Sequence, residues 1–113
     1  MDKKAAIGAL GALAQETRLD VYRLLVTQGP EGLSAGAIAD RLQVLPASLT
    51  FHLKELQHSG LITQRRLGRQ LIYAAGYGAM NELLAYLTEN CCGRGQSCAP
   101  SCNPADAFAT AER

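Results

Sequence analysis

With 113 residues, 48% of them apolar, the chain is sized for one domain with a modest core. A formal net charge of +1 excludes binding to nucleic acid by bulk charge alone, so any basic surface has to be local. No apolar run reaches the length of a membrane span, and Gly8, Gly11, Gln15 and Glu16 break up what would be a signal peptide's h-region, so a cytoplasmic location with reduced cysteines is expected.

Residues 3 to about 14 predict a helix with Ile7, Leu10, Leu13 and Ala14 on its apolar side. Gly8 and Gly11 weaken it, each by roughly 1 kcal/mol against Ala. Thr17 followed by Asp20 resembles a capping box and opens a second helix to about Thr27, with Leu19, Tyr22, Leu25 and Val26 facing inward. The stretch Gln28-Gly29-Pro30-Glu31-Gly32 reads as a loop. Ser34 then caps a short third helix whose Ala35, Ile38, Ala39 and Leu42 pack inward.

Gln43, Val44 and Leu45 turn the chain into a fourth helix, opened by Pro46 in the first turn, where a missing N–H costs nothing. Leu49, Leu53 and Leu56 form its apolar stripe, and Ser48, Thr50, His52, Lys54 and Gln57 its polar face. Gly60 ends it. A short helix, a three- or four-residue turn and a second helix make a helix-turn-helix. Leu61-Ile62 and Leu71-Ile72-Tyr73 then flank a Leu67-Gly68-Arg69 turn and read as a hairpin carrying Arg65, Arg66 and Arg69.

Between His52 and Arg69, Glu55 alone opposes Lys54, Arg65, Arg66 and Arg69. The expected fold class is mainly α with a small β-hairpin, a dimeric winged helix-turn-helix. Its natural partner is double-stranded DNA. Ser48, Thr50 and His52 are expected to approach base edges, with Lys54 on the same helix. Arg65, Arg66 and Arg69 are expected at the backbone phosphates or the adjoining minor groove.

After Gly76, residues Tyr77 to Asn90 predict a last helix with Met80, Leu83, Leu84 and Leu87 on one face. That stripe could simply pack on the domain core, but the first and last helices carry more apolar surface than a small core uses, which predicts instead a two-fold homodimer seam. Residues 1–90 are thus expected to form the DNA-binding and dimerisation domain, and residues 91–113 a cysteine-rich segment with a flexible tail.

Several strings point further: Leu13-Ala14-Gln15-Glu16-Thr17-Arg18-Leu19, the Ile38-Ala39 pair, Leu49-Thr50-Phe51-His52-Leu53-Lys54-Glu55-Leu56, Ser59-Gly60-Leu61-Ile62 and Arg65-Arg66-Leu67-Gly68-Arg69. In this order they resemble the ArsR (arsenic-repressor) family of winged-helix transcriptional regulators, over nearly all of residues 5 to 90. The resemblance implies a homodimeric repressor that leaves its operator when an inducer, often a metal or metalloid, binds. The chain departs from two patterns of that family. Ile38 to Val44 holds no cysteine, and Tyr77 to Asn90 holds no His or Asp, so coordinating ligands are expected in the tail.

All four cysteines lie there: Cys91, Cys92, Cys98 and Cys102. Incidental thiols, a disulfide and a structural zinc site are the alternatives to a sensor. A reducing compartment disfavours the disulfide. Structural zinc usually takes thiolates spaced C-x₂₋₄-C, whereas Cys91 and Cys92 are adjacent. As(III) and Sb(III) are soft and take three sulfurs in a shallow pyramid, and Gly93 and Gly95 permit the tight return from the pair to Cys98. One branch of the family carries a Cys-Cys pair at the end of the last helix and a third Cys six residues on. Cys91, Cys92 and Cys98 match it, and Cys102 is a spare or an auxiliary.

Adjacent side chains of a continuing helix point about 100° apart, so the pair converges only if the helix stops near Asn90. The expected function is an arsenite- or antimonite-responsive repressor with no organic cofactor. Sensing of zinc, cadmium or thiol oxidation through the same cysteines is the alternative, and metalloid sequestration without an operator is the alternative of another class. No enzyme is expected. Both histidines, His52 and His58, lie in the DNA-facing segment, away from any cysteine they could activate.

Overall fold

The computed structural model describes residues 1–91. The elements run α1 (Lys3–Leu13), α2 (Glu16–Gln28), β1 (Leu33–Ser34), α3 (Ala35–Leu42), α4 (Pro46–His58), β2 (Ile62–Leu67), β3 (Gln70–Ala75) and α5 (Tyr77–Leu87). Leu25, Ile38, Leu49, Leu56, Leu61, Ile62 and Leu83 are the large side chains sealed in the centre. One core therefore joins α2, α3, α4, the start of the hairpin and α5. Cys92, Cys98 and Cys102 lie outside the described residues.

The helix-turn-helix is built as its sequence predicts. Ser34 Oγ accepts from the Ala37 N–H at 3.2 Å and caps α3. Ile38 and Ala39 are buried, with Ala35 and Leu42 packed at the core's edge. Residues 43–45 make the turn, with Gln43 left-handed at φ 56° and its side-chain N–H donating to the Asp40 carbonyl at 2.9 Å. Pro46 opens α4, Leu49, Leu53 and Leu56 are buried along it, and Gly60 follows its end at φ +83°.

The hairpin closes on a two-residue loop, with Leu67 opposite Gln70. Gly68 takes φ +65°, and Arg69 does not share that left-handed value, the pattern of a type II′ turn with Gly at its first central position. Strand β1, absent from the sequence reading, pairs antiparallel with β3, Leu33 opposite Tyr73, so the sheet order is β1-β3-β2. Gly32 makes that pairing possible. It sits at φ +72°, and a Cβ there would run into the Tyr73 carbonyl oxygen.

Two helices face differently from expectation. In α1 the buried residues are Ala6, Ala9 and Ala12, whereas Ile7 is 61% and Leu10 42% exposed, and Leu13 is only half-buried. Small side chains let α1 approach α2, α4 and α5 closely, and its larger apolar groups are left outward. In α2, Val21 joins Tyr22 and Leu25 in the core, while Leu19 and Val26 are exposed. The expected Thr17–Asp20 cap is also replaced. The helix begins at Glu16, and Gln15 Oε1 caps it by accepting from the Arg18 N–H at 2.9 Å.

Helix α5 ends earlier than predicted, at Leu87 rather than Asn90. The Thr88 N–H and Oγ1–H both donate to the Leu84 carbonyl, closing the last turn, and Asn90 is left-handed at φ 57°. Leu83 is buried, Met80 packs against the core, and Leu87 is 54% exposed. None of the described helices is long and apolar enough to cross a membrane.

Candidate nucleic-acid interface

The polar face of α4 is displayed because its other face is anchored. With Leu49, Leu53 and Leu56 in the core, helical spacing turns Ser48, Thr50, Lys54 and Gln57 to the surface, where all four are exposed. The Arg41 guanidinium donates to Gln28 Oε1 at 3.0 Å and ties α3 to the end of α2. Thr50 Oγ1–H donates to the Pro46 carbonyl at 3.0 Å, so its hydrogen is spent inside its own helix. What Thr50 offers outward is a methyl group and oxygen lone pairs.

His52 differs from the other polar residues of α4 in being half-buried. Its Nδ1 accepts from Arg18 Nε–H at 3.2 Å, across 34 positions of sequence. Its pKa is lowered from the ordinary histidine value, first by burial and then by the Arg18 charge. Beside it Phe51 is 56% exposed, with the Arg18 guanidinium 5.4 Å from its ring centre. The sequence reading missed both Arg18 and Phe51. Phe51 carried a signal, being a large apolar residue off the Leu49–Leu53–Leu56 stripe, but Arg18 carried none that is local.

On the hairpin Arg65, Arg66 and Arg69 are exposed. Arg65 is tethered, its guanidinium donating to the Glu31 carbonyl at 2.8 Å, which straps β2 to the loop after α2. Gln64 donates to Tyr73 Oη at 2.9 Å across the hairpin and stiffens it. Arg66 and Arg69 remain on the outer arm and tip. Only three residues separate α4 from β2, so the polar helix face and the arginine-bearing hairpin belong to one continuous unit.

Among the candidate thiols, Cys91 alone falls within the described residues. It is half-buried, and its backbone N–H donates to the Thr88 carbonyl at 3.1 Å. Among the described residues no three His, Cys, Asp or Glu side chains gather where they could hold a metal ion.

A helix-turn-helix domain family matches residues 13–65. HlyU from Vibrio cholerae N16961 superposes with a TM-score of 0.61 at 32% identity, over 77% of this chain and 97% of HlyU. An ArsR-like transcriptional regulator from Rhodococcus sp. RHA1 superposes with a TM-score of 0.67 at 30% identity, over 74% of this chain and 76% of that one. The chain belongs to the ArsR family.

As an ArsR-family protein it is a DNA-binding transcriptional regulator with a winged helix-turn-helix. Nodulation protein NolR of Rhizobium meliloti is 28% identical over 88 residues, 78% of this chain and 70% of NolR. A Halobacterium salinarum protein, provisionally named as the ArsR repressor of an arsenical resistance operon, is 35% identical over 66 residues. Those residues are 58% of this ArsR-family chain and 50% of that relative, so the chain matches about half of its length.

Proposed function

We propose that the protein is a homodimeric repressor that leaves its operator when As(III) or Sb(III) binds Cys91, Cys92 and Cys98. The observation that carries the sensing site is the end of α5. The helix has stopped at Leu87, and Asn90 is left-handed before the first cysteine is reached. Cys91 therefore lies beyond the α-helix whose regular geometry would set neighbouring side chains roughly 100° apart. The similarity to a relative named for an arsenical resistance operon supports the same reading.

The chemistry suits a helix C-terminus. There the dipole disfavours a thiolate, which zinc binding would require. Arsenous acid instead condenses with three neutral thiols, forming three As–S bonds and releasing three waters. Each thiol proton leaves with a hydroxyl of the arsenic, so no proton is discharged to solvent. Release of DNA then requires the metalloid-bound form to favour a dimer shape that fits the operator worse, by a coupling typically of about 1–3 kcal/mol. Ser48, Thr50 and His52 would read base edges from α4, and Lys54, Arg65, Arg66 and Arg69 would supply the salt-dependent contacts.

A fluorescence-anisotropy titration of the operator complex with arsenite tests this. Serine at Cys91, Cys92 or Cys98 is expected to leave DNA binding intact and abolish release, while Cys102→Ser changes neither. A Cys98→Ser protein that lets go of DNA at the wild-type arsenite concentration rules out the three-thiol site.

A further inference from the structure

Phe51 and His52 are consecutive on α4, so their side chains diverge by about 100°. One residue from another helix serves both. Arg18 of α2 places its guanidinium carbon 5.4 Å from the Phe51 ring centre, and its Nε–H donates to His52 Nδ1 at 3.2 Å. The two rings also meet edge to face, their centres 5.7 Å apart and their planes 63° apart. A guanidinium is only ever a donor, so the Nδ1 it touches must hold a lone pair. The imidazole is therefore neutral and carries its proton on Nε2. Among the described residues that second nitrogen has no hydrogen-bond partner.

We propose that Arg18 is a positioning residue for DNA recognition: by occupying His52 Nδ1 from α2, it holds His52 on the recognition helix as a one-way donor through Nε2–H. The inference rests on α4 being the helix that enters the major groove. In that groove guanine O6 and N7, adenine N7 and thymine O4 accept hydrogen bonds, whereas cytosine N4 and adenine N6 donate them. A fixed Nε2–H accepts the first group as partners and rejects the second. Without Arg18 the ring is released to present either nitrogen, and that discrimination falls. Phe51 contributes by giving the guanidinium a flat face to lie against, which suits the planar fork of Arg and not the point charge of Lys.

The probe is the duplex that the wild-type protein recovers from a random-sequence DNA pool. Anisotropy titrations compare wild type, Arg18→Ala, His52→Ala and the double variant. Each single change is expected to weaken binding about fivefold, as for the loss of one hydrogen bond. The double variant is expected to bind no more weakly than the weaker single, because Arg18 acts through His52. Losses that multiply, with Arg18→Ala lowering the salt slope by about one whether or not His52 is present, would make Arg18 a phosphate contact and overturn the proposal.

Nitrogen-15 resonances of the His52 ring, recorded without DNA, supply a readout that general loss of stability does not move. The Nδ1 signal of Arg18→Ala is expected to shift toward that of a solvent-exposed imidazole, and Arg18→Lys to restore it only in part. An Nδ1 signal unchanged by Arg18→Ala overturns the clamp whatever the DNA data show. A wild-type protein that recovers no sequence from the pool overturns the major-groove reading instead, so the two failures are separable.

Discussion

At residue scale the arrangement around His52 makes stability depend on pH. Protonation would place a hydrogen on the nitrogen that accepts from Arg18, and the pKa is accordingly held below its ordinary value by burial and then by the Arg18 charge. Between the folded pKa and the unfolded value of about 6.5, the unfolded chain binds more protons than the folded one. The stabilisation is therefore complete above about pH 6.5 and is lost as pH falls through the folded pKa. Thermal midpoints measured from about pH 7 to pH 5 should drop further for wild type than for His52→Gln. Equal drops would mean that His52 is not coupled to folding. The hairpin arginines are expected to act through charge instead. Arg69→Ala should weaken binding across all sequences and flatten the salt slope by about one unit, read from affinity against salt concentration. If Arg66→Ala and Arg69→Ala together leave affinity unchanged, the hairpin does not touch DNA.

At the scale of elements, glycines with opposite surroundings give opposite outcomes. Gly8 lies exposed in α1 with nothing within 4 Å of where a Cβ would stand, so Gly8→Ala should raise stability by up to about 1 kcal/mol in a denaturant melt. Gly32 combines φ +72° with the Tyr73 carbonyl in the Cβ position, so Gly32→Ala should cost more than about 1 kcal/mol and loosen β1 from β3. The cost of Gly8 follows from its place in a helix, but the clash at Gly32 could not be foreseen from local sequence, and the same limit explains what else was hidden. The stripe of α4 was legible because Leu49, Leu53 and Leu56 are the large apolar residues at helical spacing on an otherwise polar segment. In α1 both faces are apolar, and spacing favours Ile7 and Leu10 although close helix packing selects Ala6, Ala9 and Ala12. A two-residue strand such as β1 has no periodicity to read. The Gln15 cap was missed because Gln is a poor competitor to Ser, Thr or Asp at that position. The Arg18–His52 contact joins residues 34 apart, and no pattern along the chain reports it.

At the scale of the whole molecule, the outward side chains of α1 and α5 bear on assembly. Ile7, Leu10 and Leu87 are exposed, and the two helices sit side by side, with the Met1 ammonium 3.8 Å from a Glu82 carboxylate oxygen. A core that spends alanines inward on α1 and leaves larger groups outward is what a two-fold seam built from α1 and α5 would require, each protomer presenting the same surface. Such a dimer places its recognition helices roughly 34–36 Å apart, one turn of DNA, and makes the seam the connection between the end of α5 and the operator. Leu87 is the residue to test, because its exposure in the single chain means that a charge there should leave the fold intact. Leu87→Glu is expected to keep the helical content and cooperative unfolding of the domain, lower its thermal midpoint only by what dimerisation contributed, shift sedimentation at micromolar concentration toward monomer, and weaken operator binding in parallel. The parallel is the discriminating point. A protein that sediments as monomer yet binds its operator with wild-type affinity would show that one copy reads DNA alone, and the route from α5 to the recognition helix would then have to run within a single chain.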